Sequence, residues 1–502
     1  MLSVPERPAV LSFDGKTRVG RDHTDSSGHP VTSVTSEALL PGLAGGREPR
    51  LATDASALVS VLRKRSAPRS RVRPAPTYGD QIYRWSMTFI GCFVALLILA
   101  VKSSALHGGT TGRLFLVYSV LVTSFELSRL VAASFHVRTS DACYARAEAA
   151  PYEPTVTFVI PCMNEEAAIA ISVVNSLAAE YPEDKVEVIV VDDGSTDGTP
   201  AVLADLRRRN PRLQVVTFPR NLGKRHAMAE GFRRARGEII VQLDSDSYIE
   251  PSGLRALVAP FANEQIGAVC AHADPANADA NILTRMQAAY YFLSFRILKA
   301  AESTFLAVFC CSGCSSAYRK EIVLPTLDRW LDESFLGKPV TWGDDRALTN
   351  WVLRAGYRTI YTDRAQAYTI CPDNLRQLLK QQVRWKKGWL VNSIFATPFV
   401  VRQYPFVAAT YFLPLIVLTL LTPFMAVRGL IWLPLVEHRL PVFYLVGVFG
   451  IALMVAIYYR RVERSNRYWP YVFLWSGLNL LVLSFVLFYA IATLQNRAWG
   501  TR

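Results

Sequence analysis

Hydrophobic and polar positions divide the chain into distinct textures. Residues 1 to about 80 mix Ser, Gly, Pro, Arg and Asp without a sustained apolar period. Such a stretch buries too little to offset its chain entropy, so 1–80 is expected to be a disordered basic tail on the cytoplasmic side. Two apolar segments follow at about 85–101 and 114–135, each near the length that crosses a hydrocarbon layer. They predict a transmembrane hairpin of two helices over 81–136. Glu126 and Arg129 lie within the second segment. Three apart on one helical face, such charges turn toward protein or a polar cavity, unless the pair sits at the membrane edge.

From about 154 to 372 the pattern changes to short β-rich runs alternating with amphipathic stretches: TVTFVIP, VEVIVVDD, LQVVTF, EIIVQLD and IGAVCAH. Buried strands separated by helical segments pair in parallel through right-handed crossovers. This predicts a doubly wound, mostly parallel α/β domain over 150–373, with ligands beyond the carboxyl ends of its strands. An amphipathic helical stretch is expected at 374–400, on the membrane surface. Apolar runs at about 406–427, 441–459 and 471–494 predict about three further spans within 401–496, and 497–502 forms a short tail.

Composition adds to this picture. At 502 residues and 51% hydrophobic the chain is too apolar for a simple soluble protein. A formal charge of +14 raises nucleic acid as a partner, but no zinc-finger spacing, RNP signature or basic-aromatic repeat accompanies it, so none is expected. Basic residues instead cluster beside apolar runs, at Arg63, Lys64, Arg65, Arg69, Arg71 and Arg73, and at Arg460, Arg461, Arg464 and Arg467. That placement marks the cytoplasmic side of a membrane. Of eight cysteines, Cys310, Cys311 and Cys314 sit close together, but a metal site there lacks a fourth ligand, and reduced thiols are expected. The first residues mix Pro, charge and polar groups, so no secretory signal is expected.

The candidate chemistry gathers at strand ends. The first strand runs into Pro161-Cys162-Met163-Asn164-Glu165-Glu166 and the second into Asp192-Asp193-Gly194-Ser195. Acids and a tight Gly turn where parallel strands finish offer acceptors for a base and ribose. Each is a common turn by itself, but two in one sheet weaken that reading. Asn221-Leu222-Gly223-Lys224-Arg225 follows the third strand and places two cations at a helix start, where phosphate is favoured. The P-loop spacing is missing, which argues against ATP hydrolysis. The fourth strand runs into Asp244-Ser245-Asp246. In an extended chain these two carboxylates point the same way, toward one Mg²⁺ or Mn²⁺ that also holds a diphosphate. Gly343-Asp344-Asp345-Arg346 precedes a helical pattern. One acid there can be an N-cap and the other a general base. Gln381-Gln382-Val383-Arg384-Trp385 provides an amide, a cation and an indole at helical spacing, which also suits an interfacial anchor.

With DDGS, DSD, GDDR and QxxRW in this order, the chain resembles the processive family 2 glycosyltransferases: hyaluronan synthases, chitin-oligosaccharide synthases of the NodC type, chitin synthases and cellulose synthases. The resemblance implies a GT-A domain inserted between transmembrane helices of a multi-pass plasma-membrane protein, with the catalytic domain in the cytosol. It implies a UDP-sugar donor and a growing polysaccharide acceptor that leaves through the same polypeptide. Pro161, Asn164, Glu165, Asp192, Asp193, Lys224 and Asp244 then match nucleotide-binding positions, and Asp244 with Asp246 the metal pair. Asp345 matches the catalytic base. Asp344, Arg346, Gln381, Arg384 and Trp385 match positions near the diphosphate and acceptor, and Cys310, Ser312 and Gly313 resemble the acceptor-site segment. The flanking residues favour the hyaluronan synthase type, using UDP-GlcNAc and UDP-GlcA, over a chitin-type GlcNAc chain. Two departures stand out, Cys314 where Pro is usual and Gly388 where Ser is common. A non-catalytic scaffold or transporter is the alternative of a different class. The implied cytosolic tail also disagrees with three C-terminal spans, which would place 497–502 outside.

Overall fold

The computed structural model describes residues 78–107, 113–149 and 152–496. Most of the expected N-terminal tail, and the tail at 497–502, lie outside the described residues. Residues 78–80 already belong to the first helix.

All five expected strands form, as β1 (Val156–Cys162), β2 (Val186–Asp192), β3 (Leu213–Thr217), β4 (Ile239–Gln242) and β6 (Ile266–Pro275). β1, β2 and β4 are buried almost throughout, as expected of β-branched runs covered on both faces. β5 (Ser247–Ile249), β7 (Ser316–Arg319) and β10 (Arg358–Thr369) complete an eight-stranded sheet of order β3-β2-β1-β4-β7-β6-β10-β5. A separate two-stranded hairpin joins β8 (Ser334–Phe335) to β9 (Lys338–Pro339). β1 pairs in parallel with β2 and β4, and β2 with β3. β7 runs antiparallel to both β4 and β6, and β5 is antiparallel to β10. Six strands of the large sheet therefore share one direction, so the sheet is mostly parallel with two reversed strands.

Helix α1 spans Tyr78–His107 and α2 spans Arg113–Ala149, so the second helix continues well past the apolar segment. Its polar extension carries four alanines with Arg138, Arg146 and Glu148, residues that favour helix, and it docks on the sheet domain. Tyr144 Oη lies 2.7 Å from Thr362 Oγ1. Arg364, in an irregular stretch of β10, pairs with Asp141 and Glu148. Among the described residues, four helices are long and apolar enough to cross a membrane: within Gly79–Ile98, Val117–Ala149, Pro405–Leu435 and Val442–Val462. The last apolar run is broken instead, with Tyr471–Leu483 and Val486–Ala492 bent by 40°. These helices fit a membrane protein with four continuous apolar helices and a fifth, interrupted one.

Arg129 is buried and does not sit at an exposed edge. Its guanidinium donates to Thr410 O at 3.2 Å and lies over the rings of Phe125 and Tyr411. Glu126 lines a cavity of about 270 Å³ between the apolar helices.

Candidate active site

The carboxyl ends of β1 and β2 meet through the register Cys162↔Asp192. Pro161 therefore lies within β1 opposite Val191, one step inside the strand end. Asn164 adopts φ +55°, a conformation that asparagine tolerates better than most residues. Its backbone N–H donates to Ser195 Oγ at 2.9 Å and its Oδ1 accepts from Thr196 N at 2.8 Å. Glu165 N donates to Thr199 Oγ1 at 2.8 Å. These bonds knit two loops into one floor. Asp192 is fully buried; its Oδ1 accepts from Ser195 N at 3.0 Å, while Oδ2 has no protein partner. Both oxygens of Asp193 already accept, from Leu222 N at 2.7 Å and Gly223 N at 2.9 Å. Burial raises the Asp193 pKa, against the lowering effect of those two amides. The adjacent acids thus differ: Asp193 holds the loop before the next helix, and Asp192 keeps an acceptor free.

That helix, α3 (Lys224–Arg234), starts at Gly223 with φ +101°. Lys224 Nζ lies 2.5 Å from Asp244 Oδ1. Burial lowers the Lys224 pKa, but the carboxylates of Asp244 and Asp344 outweigh it and hold the ammonium above its ordinary range. Arg225, expected as a second phosphate-facing cation, is committed elsewhere. Its guanidinium bonds Asp344 Oδ1 at 2.8 Å, Glu333 Oε2 at 2.9 Å and Trp330 O at 2.9 Å. A buried arginine needs such partners, because an unpaired charge there would be very costly.

Asp244-Ser245-Asp246 is a turn and not an extended segment, closed by Ser247 N donating to Asp244 O at 3.0 Å. The alternation argument for its carboxylates therefore fails. β4 stops at Gln242 because the chain must reverse into β5. Asp246 Oδ1 accepts from Ser247 Oγ at 3.3 Å. Asp244 faces Gly313: a Cβ there would stand 2.7 Å from Asp244 Oδ1. Gly313 O accepts from Asp244 N at 2.9 Å, and Gly313 N donates to Asp345 Oδ2 at 3.2 Å. Cys310 Sγ lies 3.7 Å from the same Asp345 oxygen. Burial, and secondarily Asp345, pushes the Cys310 thiol up to about 12, so it remains protonated and donates. Ser312 contributes its carbonyl, which accepts from Ser316 Oγ at 2.7 Å.

The N-cap of helix α4 (Asp344–Arg354) is Gly343, in the left-handed region at φ +68°. Neither Asp344 nor Asp345 caps it; both lie in the first turn with Arg346, where the helix dipole favours acids. Helix α5 (Leu375–Gln403) carries Gln381, Arg384 and Trp385. It meets the Gly343 loop backbone to backbone, and a Cβ at Gly388 would stand 2.9 Å from Gly343 Cα. This explains glycine at 388. Arg384 acts electrostatically on Lys224, and its buried Nε has no protein partner. Trp385 is half exposed and stacks at 6.4 Å on Tyr290, which stacks at 4.5 Å on Trp475. Sequence reasoning missed Arg225, Tyr290 and Trp475 as structural partners, since their contacts lie far apart in the chain.

Two carboxylates beside a diphosphate suffice for Mg²⁺ or Mn²⁺, which keeps several oxygen ligands from water and phosphate. Asp244 and Asp246 fit that donor chemistry, and Lys224 now offsets the charge of the first.

Comparison with known proteins places the chain among the sugar transferases. The glycosyl transferase family 2 model matches residues 157–324. The chain is 33% identical over 362 residues to a hyaluronan synthase of Streptococcus pyogenes serotype M1, covering 70% of this chain and 84% of that one. It is 28% identical over 388 residues to an N-acetylglucosaminyltransferase of Azorhizobium caulinodans, covering 77% and 96%. The chain belongs to glycosyltransferase family 2. Among solved structures, a mannosyltransferase of Pyrobaculum calidifontis in complex with GDP-Man and Mn²⁺ aligns at TM-score 0.47 and 22% identity, over 74% of this chain and 99% of that one.

Proposed function

We propose that this glycosyltransferase is a processive, inverting β-transferase that polymerises sugars from UDP-sugar donors on the cytosolic face of the plasma membrane. The supporting observation is Gly313, whose carbonyl and N–H hold Asp244 and Asp345 on either side of one residue. Asp345 takes the proton of an acceptor hydroxyl as its oxygen attacks the anomeric carbon, and the C–O electron pair leaves with UDP from the opposite face. The Gly313 N–H and Cys310 thiol orient that carboxylate. Asp192 Oδ2 accepts from the uracil N–H, with Asn164, Glu165 and Asp193 shaping its floor. Lys224, Arg346, Gln381 and Arg384 meet the diphosphate and the acceptor, and Trp385 stacks the acceptor sugar. Asp244 and Asp246 would hold Mg²⁺ or Mn²⁺, which neutralises charge on the leaving diphosphate when bound.

The stacked rings of Trp385, Tyr290 and Trp475 lead to the cavity that Trp475, Asn479, Thr422 and Glu126 line. This supports export of the chain through the apolar helices, with 374–400 at the membrane surface and the N-terminal tail in the cytosol. The product is of the hyaluronan type, built from UDP-GlcNAc and UDP-GlcA. A GlcNAc-only chain is the second reading, supported by the likeness to an N-acetylglucosaminyltransferase of Azorhizobium caulinodans. The test supplies each donor alone and both together to the full chain in sealed vesicles, scoring UDP release and product digestion. Polymer sensitive to hyaluronidase and dependent on both donors supports the first reading. Chitinase-sensitive polymer from UDP-GlcNAc alone replaces it with the second, and no UDP release with any donor removes both.

A further inference from the structure

Glu302 lies at the end of the helix before the acceptor loop, yet touches none of the residues assigned above to donor or acceptor. Its two carboxylate oxygens face different parts of the molecule. Oε2 accepts from the backbone N–H of Phe309 at 3.1 Å, and Oε1 accepts from the hydroxyl of Tyr411. Tyr411 belongs to the apolar helix Pro405–Leu435. Its ring stacks on Phe309 at 6.0 Å with 5° between planes, and it carries the Arg129 guanidinium at 4.4 Å on its face. Arg129 comes from α2. A second tie to α2 is Thr304 Oγ1, which donates to Ala132 O at 2.9 Å.

The loop gripped in this way is strained. Leu306 adopts φ +55°, a region that costs a leucine free energy and persists only when its surroundings dictate it. Leu306 O accepts from Thr359 N at 3.1 Å and Ala307 N donates to Glu302 O at 3.3 Å. Immediately after Phe309 come Cys310, on the Asp345 carboxylate, and Cys311, whose N–H donates to Thr349 Oγ1 at 2.9 Å. Thr349 Oγ1 in turn donates to Asp345 O at 2.7 Å.

We propose that Glu302 is a positioning residue that uses Tyr411 and Arg129 of the apolar helices to fix the 305–311 segment, and through Cys310 and Thr349 the Asp345 carboxylate, against the acceptor hydroxyl. This rests on the transferase reading above. The donor floor, built by Asp192, Asp193 and Asn164, touches neither Glu302 nor Tyr411. Loosening the clasp therefore leaves donor binding intact and misdirects the transferred sugar, because water competes when the acceptor hydroxyl is poorly aligned.

The experiment uses the full chain in lipid vesicles, with the variants Glu302→Gln and Tyr411→Phe. It measures UDP-binding stoichiometry, donor KM, kcat, and sugar incorporated into polymer per UDP released. Glutamine loses one of two accepting oxygens and should lower kcat about tenfold, and phenylalanine about threefold. Both should keep full UDP stoichiometry and donor KM within about twofold, with less sugar incorporated per UDP released. Unchanged incorporation per UDP in Glu302→Gln overturns the proposal, as does a donor KM that rises in step with the loss of kcat. Failure of the wild type to release UDP from any donor would instead sink the transferase reading itself.

Discussion

The two halves of the catalytic domain are built differently. The donor half is local: β1, β2 and β4 end within one parallel register, and its loops are satisfied by backbone groups that follow the neighbouring strand, as in Asp193 after β2 with Leu222 and Gly223 after β3. The acceptor half is assembled across the whole chain. Asp345 is oriented by the Cys310 loop, its neighbour Asp344 is gripped by Arg225, and α5 docks where Gly388 meets Gly343. Substitutions in the donor half should move binding, and those in the acceptor half should move turnover.

The largest separation of the two is expected at Asp345→Asn. Removing a general base typically costs 10²–10⁴-fold, and the acid makes no contact with the nucleotide floor. Transfer should fall by about 10³-fold while UDP affinity changes less than about twofold. Titration of UDP alongside single-turnover kinetics checks this; a matching loss of affinity would move Asp345 into the donor half.

Next comes Gly313→Ala, which strikes the residue shared by both halves. The added methyl would stand 2.7 Å from Asp244 Oδ1 and 3.0 Å from Gln242 Nε2. One of them must shift, and displacements of this size cost about 10²-fold in turnover, here with weaker donor binding as well. Gly477→Ala, with nothing within 4 Å of its Cβ, is the control. Equal activity of the two variants would show that Gly313 does not join the sites.

The same contrast governs how much could be read from the chain. The five strands and the acids at their ends were legible, because buried β-branched runs and turn residues are local signals. The reversed strand β7 was not, since nothing in Ser316–Arg319 says that it will insert between β4 and β6. DSD was recognisable as an acidic motif, but its geometry was misread, because the chain must turn there to enter β5. Arg225 looked like a phosphate ligand from its position beside Lys224. Its partners Glu333 and Asp344 lie more than a hundred residues away and left no trace in spacing. Gly388 looked like a departure from the family and proved to be a close backbone approach. Glu126 and Arg129 read equally well from the sequence as a pair facing protein or a cavity and as a pair at the membrane edge; in the structure Arg129 packs on Phe125 and Tyr411 while Glu126 lines the cavity.

A smaller effect is expected at Asp193→Asn, which should act on binding alone. The asparagine side chain has one accepting oxygen where two N–H groups need one each, so either Leu222 N or Gly223 N faces an amide N–H₂. Losing one bond to a charged acceptor costs about 1.5–3 kcal/mol, so donor KM should rise about tenfold or more, with kcat within about threefold. Initial rates against donor concentration check this. A fall in kcat at unchanged KM would mean that the Leu222–Gly223 loop serves the acceptor half.

The smallest change is expected at Cys310→Ser. Burial keeps the thiol protonated, with its pKa near 12, so at neutral pH it acts on Asp345 only as a weak donor across 3.7 Å. A serine hydroxyl is also a donor, and Gly313 N remains on the same oxygen, so kcat should stay within about threefold and donor KM should not change. The prediction fails if turnover drops about 10²-fold, the loss expected of a group taking part in proton transfer. In that case Cys310 would share the proton with Asp345, and the acceptor half would contain two acid–base groups in place of one.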